Sequence, residues 1–576
     1  MFLVMGTDRG LDDRLADLER RFGDPHDREN PIGYTAILAA DERAEMLRAG
    51  EQTLDEYGLG AEFVPAEHGG RLTRLEHLVD VMRSVYRRDP CLGLGYGSSS
   101  LIGAVNVWAS GDLEQCRMVA DVLLRNRMLA CAYHELAHGN DIARNEFEAR
   151  STGSGLSLSG KKEVIANVER AAALVIFART DAKAGGRSHS QILVDRASLS
   201  PDSVRYLPRF RSAGMRGVHL GGIEFQDCTV PTDSVVGFAG QGLETALTSF
   251  QITRTVLPAM TVGILDTGLR TTIAHVTGRK LYGGTAIDFP YVRSILVGAF
   301  LDLLISDCVG TVIARAAHLI PAQLSVYASA AKYLIPKIVI DAMDRLSEVL
   351  GSEFYLREGD SAIFQKLLRD VRPAGFGHAS GAACQLTILP QLPALARKSW
   401  AMEDPVSPAL FALDHELPSL RFDRLKISNL GRDQLGASLG FGLDGESDFD
   451  APDREVGQLR ALFATEFQDL GNKVAQLSPA EVTPDASSDT YDLASRYAIL
   501  LAASCCIGVW RHNQNRSDEI ISSRSWLIAA LGRLADRLKT SAVTVPTQAD
   551  DYLFAEMMDR FEGRRTFDLA ARRVFG

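Results

Sequence analysis

The spacing of hydrophobic positions changes twice along the chain. Leu11, Leu15 and Leu18, and later Leu75, Leu78, Val79 and Met82, recur at three-and-four intervals and predict amphipathic helices through residues 1–129. Pro65, Gly69 and Gly70 break this half, and Gly93, Gly95 and Gly97 punctuate a second apolar stretch. Between 130 and 240 the pattern becomes strand-like: Leu156-Ser-Leu158-Ser alternates, Ala173–Phe177 is a buried run, and Gln191–Val194 and Ile223–Phe225 are short apolar pieces. Glycine and proline clusters separate them at the spacing of a small β-barrel or sandwich. Helical periodicity returns over 241–428, where the segments near 291–319 and 323–350 suit a packed bundle. Pro258 and Pro336 are each expected to start, kink or end a helix. Residues 437–455 read as a Gly- and Asp-rich linker, followed by at least three amphipathic helices around a Ser/Pro/Asp loop at 478–489. The expected fold is α+β and mostly α, with domains at 1–129, 130–240, 241–428 and 429–576.

Composition narrows the function classes. The 576 residues are 46% apolar and 23% charged, which is globular usage, and the net charge of −11 argues against a nucleic-acid surface. The terminal run MFLVMGTDRG is too short for a secretory signal and carries no basic leader. The longest apolar run, Ala498 to Trp510, falls short of the roughly 20 residues a membrane span needs, so a buried helix is expected there. The eight cysteines form no C-x-x-C pair, which suits a reducing cytoplasm and gives no metal site. His138, His219 and His275 also lack ligand spacing. No G-x-S-x-G elbow, P-loop or H-E-x-x-H motif occurs, which removes the common hydrolase, nucleotidase and metalloprotease readings.

Several motifs in order carry a resemblance over roughly residues 57–392. Tyr57-Gly-Leu followed by Pro65-Ala-Glu-His-Gly-Gly70, the loop Glu135-Leu-Ala-His-Gly139-Asn-Asp141, and Gly214-Met-Arg-Gly217 before Phe225-Gln-Asp-Cys-Thr-Val-Pro231 resemble the signatures of acyl-CoA dehydrogenases. That resemblance implies a helical domain, a central β domain and a helical bundle, with FAD as cofactor and an acyl-CoA or acyl-carrier-protein substrate. It implies a homodimer or homotetramer, with an electron-transfer flavoprotein or oxygen as electron acceptor. Tyr133, His134, Glu135, Gly139, Asn140, Ala166, Asn167 and Ser380 fall at its flavin-binding positions. Arg279, Tyr282, Phe289, Glu348 and Gly351 fall where the family reaches the cofactor of a neighbouring subunit. The departures are specific. Val164-Ile-Ala-Asn167 stands where the family has W-I-T-N, so the threonine meeting flavin N5 is Ala166. Glu348 and Pro290 replace amides on the adenosine side.

The largest departure lies in Arg369-Asp-Val-Arg-Pro-Ala-Gly-Phe-Gly-His378-Ala-Ser380. The resemblance places the catalytic glutamate at position 378, where this chain has histidine. The family's alternative glutamate position, just before Arg254, is Thr253. His378 is therefore the expected general base, since an imidazole accepts protons near neutral pH. The backbone N–H at that position remains available to polarise a thioester carbonyl. Arg254 is expected to orient the site or hold a substrate carboxylate. Three functions remain open from sequence: α,β-desaturation of an acyl thioester, a flavin-dependent oxidase or monooxygenase (including a decarboxylative one), and a non-catalytic assembly subunit.

Overall fold

In the computed structural model, residues 10–183, 185–401, 406–440, 454–516, 519–539 and 547–575 are described. The amino-terminal apolar run and most of the 437–455 linker lie outside them.

The first third is helical: α1 Leu11–Phe22, α2 Tyr34–Glu42, α3 Arg48–Tyr57, α4 Leu75–Arg88, α5 Ser99–Ser110 and α6 Leu113–Leu124. Asp112 starts α6 with a reciprocal capping box to Gln115. The glycines at 93, 95 and 97, read above as punctuation, instead form a π-helical turn over Leu92–Ser98 that runs straight into α5. The lack of side chains is what this turn needs. A Cβ at these three positions would stand 2.6 Å from the Tyr86 ring, 2.5 Å from Met46 and 2.7 Å from Met82 respectively.

The central sheet comprises β1 Leu129–Ala132, β2 Glu148–Thr152, β3 Gly155–Ala166, β4 Ala173–Arg179, β5 His189–Asp195, β6 Val204–Leu207, β7 Leu220–Val230 and β8 Val235–Val236. Its order is β6-β7-β3-β2-β4-β5-β8, with β1 paired in parallel to β4. Each strand-like segment read from the sequence lies on one of these strands. The long β3–β7 pairing slips between Lys162 and Ile165, and Val164 sits at this bulge with φ of 56°. Positive φ is costly for a β-branched residue. The slip re-aims the end of β3 toward the helices.

The bundle is α7 Gly242–Met260, α8 Val262–Gly278, α9 Pro290–Leu319, α10 Leu324–Leu350, α11 Ile363–Asp370, α12 Gly381–Ile388 and α13 Leu392–Lys398. Pro258 lies in the last turn of α7, and Pro290 opens α9, where a missing N–H costs nothing. Pro336 neither starts nor ends a helix; it sits inside α10, buried against the core. A two-stranded hairpin, Lys280–Leu281 with Gly284–Thr285, links α8 to α9.

The remaining helices are α14 Gln434–Ala437, α15 Arg454–Ala475, α16 Ser488–His512, α17 Glu519–Ser522, α18 Arg524–Leu538 and α19 Thr547–Glu562. They share one continuous core with the bundle. Asp302 on α9, fully buried, accepts a forked pair of bonds from Arg533 on α18. The final segment folds back onto the first half: Phe567 N–H donates to Asp266 and Leu569 N–H to Asp307. Arg83 stands 2.6 Å from Asp307 and 3.8 Å from Asp568. Among the described residues two helices, α9 and α16, are long and apolar enough to cross a membrane, but most of each is covered by protein, as core helices are.

Candidate functional site

A cavity of ≈ 930 Å³ opens where the end of β3, the loop after β1, α7, α10 and the segment between α11 and α12 converge. Val164, Ile165 and Ala166 form one wall. Phe250, Leu257 and Pro258 of α7 form another, and Ser212–Met215 close a third side. The polar lining includes His134, Asn140, Ser99, Ser212, Thr261, Lys332, His378 and Ser380, the tyrosines Tyr86 and Tyr133, and Arg369 and Arg372, which are ion-paired to Asp41 and Asp344.

The loop after β1 is fixed from below. Lys162 on β3 is fully buried and donates to Glu135 at 2.7 Å and to the Tyr133 carbonyl at 3.2 Å. Glu135 also accepts from the N–H groups of Glu146 (2.8 Å) and Phe147 (3.1 Å). Burial pushes the Glu135 carboxyl up, but Lys162 and these donors outweigh it and leave it below the usual range. Burial also brings the Lys162 ammonium down to about 8, against the pull of Glu135. The clasp holds Tyr133, His134, Gly139 and Asn140 at the cavity wall. The His134 ring is steadied by a 3.1 Å contact between its Nδ1 and the Glu163 carbonyl.

His378 sits in a strained turn. The Ala379 N–H bonds the Gly377 carbonyl at 2.8 Å, and the histidine between them has φ of 66°. This is a γ-turn, a conformation an L-residue holds only under constraint. The constraint is visible. His378 Nε2 lies 2.6 Å from Thr253 Oγ1, and its ring meets Phe250 edge-on at 4.3 Å. The positions of both family glutamates thus touch, as an imidazole and a hydroxyl. Thr253 Oγ1 also donates to the Phe250 carbonyl at 3.1 Å. With its proton there, Nε2 must carry the imidazole hydrogen, and the Nδ1 lone pair stays free. Burial, then the charges of Arg254 and Lys332, hold the imidazole well below its ordinary pKa, so it is neutral at pH 7.

Ser380, also on the cavity wall, caps α12 by accepting from the Ala383 N–H at 3.2 Å. Arg254 stands behind the wall: Nη1 reaches Thr387 at 3.4 Å and Nε has no partner. At two positions expected to meet the flavin, the side chain is engaged within the protein. The Glu135 carboxylate is spent on the Lys162 clasp. Asn167, fully buried at φ of 58°, donates to the Gly95 carbonyl and to Ser99 at 3.0 Å, which ties β3 to the π-helical turn. Neither side chain lines the cavity.

Arg279, Tyr282, Phe289, Glu348 and Gly351 lie apart from the cavity, around the hairpin and the end of α10. Arg279 is 3.6 Å from Glu353, Tyr282 is 96% exposed and meets Phe289 edge-on, and Tyr291 donates to Glu348 at 3.5 Å. Gly351 closes α10 at φ of 57°. Sequence reasoning missed Lys332, which reaches the cavity from the middle of α10. The cluster of Asp89, Cys91 and Asp370 has ligand spacing, but the Lys366 ammonium fills it, 2.6 Å from each carboxylate.

Residues 240–380 match the family model of the acyl-CoA dehydrogenase C-terminal domain. Mitochondrial isovaleryl-CoA dehydrogenase of Solanum tuberosum is 27% identical over 242 residues, 42% of this chain and 58% of that one. A probable acyl-CoA dehydrogenase, fadE25, of Mycobacterium bovis is 28% identical over 263 residues, 44% of this chain and 65% of its own length. The alignments therefore span less than two thirds of these relatives. Among solved structures, the prolyl acyl carrier protein oxidase AnaB superposes with a TM-score of 0.58 at 19% identity, over 65% of this chain and 97% of that one. PigA with FAD and proline superposes at 0.59 and 18% identity, over 68% and 99%. These structural likenesses are likenesses of fold. Residues 240–380 thus match the acyl-CoA dehydrogenase C-terminal domain, and the wider fold is similar to that of solved acyl-CoA dehydrogenase-like structures.

Proposed function

We propose that the protein is an FAD-dependent oxidoreductase that desaturates an acyl thioester between its α and β carbons, the acyl group being carried by coenzyme A or a carrier protein. The observation that carries this reading is the pairing of His378, on the wall of the cavity, with Thr253 behind it, beside an apolar slot bounded by the end of β3. The slot suits a flavin ring: its volume lies in the range of ligand pockets, its faces are largely apolar, and His134, Ser99, His378 and Ser380 are held by bonds of their own. Val164, Ala166, His134, Asn140 and Ser380 would line the ring. Arg279, Tyr282, Phe289, Glu348 and Gly351 would serve a partner's cofactor in a homodimer or homotetramer. FAD, when bound, supplies the two-electron acceptor for the β-hydride. His378 Nδ1 takes the α-proton, Thr253 fixes the ring through Nε2, and the His378 N–H is placed to polarise the thioester carbonyl. The carrier protein named for AnaB supports a carrier-bound substrate as readily as coenzyme A.

A second reading, an oxidase or monooxygenase on the same fold, is favoured by Ala166, which offers no hydroxyl at the flavin edge. One experiment separates the readings. The purified protein is loaded with FAD and mixed with acyl thioesters without oxygen. Bleaching of the flavin with an enoyl product supports desaturation. Peroxide or an oxygenated product, formed only after reduction and admission of air, supports the second reading. A protein that takes up no FAD would defeat both and leave an assembly subunit. His378→Gln is expected to slow bleaching by about 10²–10⁴-fold; an unchanged rate removes His378 from the reaction.

A further inference from the structure

Beside His378 the cavity wall carries Lys332, with Arg254 behind it, and among the described residues neither cation has an acid partner. Lys332 is 4% exposed, lines the cavity, and has one bond, from Nζ to the Ala374 carbonyl at 2.7 Å. Arg254 is 8% exposed, bonds only Thr387 at 3.4 Å, and leaves Nε unpaired. Among the described residues neither forms an ion pair. The groups that feel these charges are the neutral His378 and the thiol of Cys384, which burial pushes up and keeps protonated. A buried charge normally has a counterion, because leaving water uncompensated is expensive. Here the positions where the family resemblance puts a carboxylate, 253 and 378, hold an alcohol and an imidazole.

We propose that the substrate supplies the missing anion: its acyl group carries a carboxylate that Lys332 binds directly at the deep end of the cavity, with the charge of Arg254 behind it. This rests on the thioester reading above and names the substrate class, an ω-carboxyacyl thioester. A carbonyl such as that of Ala374 needs a donor but not a charged one, so its bond does not account for an ammonium. An enolate formed during reaction would be present only transiently, whereas the two cations stand uncompensated in the resting protein.

The test uses the full chain incubated with FAD and isothermal titration calorimetry. The ligands are malonyl- through adipoyl-CoA, the straight-chain acyl-CoAs of the same lengths, and the free dicarboxylates. At pH 7 at least one carboxylated thioester is expected to bind tenfold or more tighter than its neutral counterpart. That preference weakens as the pH rises past 8, because burial brings the Lys332 ammonium down to about 8 against the opposing effect of Cys384, with a smaller push in the same direction as burial from Arg254. Lys332→Gln is expected to abolish the preference while changing neutral-thioester affinity less than threefold, and Lys332→Arg to retain it. Lys332→Met should raise the melting temperature of the ligand-free protein, whereas a purely structural lysine would lower it. Equal affinities across every length, or a preference that survives Lys332→Gln, overturn the inference and leave the thioester reading intact. If no thioester of either series binds, the thioester reading fails. The inference falls with it, since a free dicarboxylate that still binds through Lys332 is not an acyl thioester.

Discussion

Replacing Glu135 by glutamine tests what holds the loop beneath the cavity. Lys162 is fully buried, and even with Glu135 at 2.7 Å its ammonium falls from 10.5 to about 8. That depression already costs roughly 3 kcal/mol at neutral pH. Glutamine preserves the shape but removes the charge, and its NH₂ turns a donor toward the N–H of Glu146. Removing one partner of a buried pair costs about 3–5 kcal/mol, so a loss of about 3 kcal/mol is expected. The pH dependence follows from the direction of the shift. A lysine whose folded value lies below its unfolded value makes stability rise with pH between the two. In the variant the folded value drops further below 8, so the deficit is largest in acid and narrows as the pH approaches 8, where Lys162 loses its proton in the native protein as well. Urea unfolding of both proteins at pH 6 and pH 8.5 measures this. A deficit under about 1 kcal/mol at pH 6, or one of equal size at both pH values, would refute the reasoning.

Three further outcomes are expected. Arg533→Met leaves the buried Asp302 carboxylate with only the longer 3.7 Å pairing to Arg537 and should cost about 3 kcal/mol in urea unfolding, with Asp302→Asn in the same chain restoring most of it; an unchanged midpoint would detach α18 from the core's stability. Val164→Gly relieves a positive φ worth on the order of 1–3 kcal/mol and should raise the melting temperature, a fall showing instead that the valine's packing against the cavity dominates. His378→Glu gives Lys332 and Arg254 a resident counterion and should cut any preference for carboxylated acyl groups at least tenfold. Calorimetry showing the preference intact would mean that the cations do not act on that site.

Local chemistry was readable in the sequence, and long-range pairing was not. Alternation at Leu156, a continuous apolar run at Ala173 and short apolar pieces at Gln191 and Ile223 placed strands, and apolar length placed α9 and α10, because each pattern is complete within one element. The motif around His378 marked the site because its glycines and its histidine are contiguous. Lys332 escaped notice because one lysine in the buried helix α10 reads as an ordinary polar interruption. Its meaning depends on Arg254 and His378, which other elements deliver. The same holds for Glu135 with Lys162, and for the final segment, whose Phe567 and Leu569 N–H groups satisfy acids on α8 and α9. The side-chain bonds of Glu135 and Asn167 were illegible for a related reason: a motif position says that a residue is near the site, not which way its polar atoms point.

The base and the anion are bound by one electrostatic requirement. A field of two cations stabilises a carboxylate base in its charged, reactive form, but acts in the opposite sense on an imidazole, whose protonated form is a third cation. His378 is accordingly held neutral and ready to accept a proton, yet accepting it places imidazolium beside Lys332 and Arg254. A unit charge about 5 Å away at an effective dielectric of about 20 is worth roughly 3 kcal/mol, enough to weaken such a base by about two orders of magnitude. A substrate carboxylate in the same end of the cavity would cancel much of that repulsion and bring the imidazole back toward its ordinary range. On this reading the loss of both glutamates is tolerable because the missing negative charge arrives with the substrate, and proton abstraction by His378 is efficient only while that anion is bound.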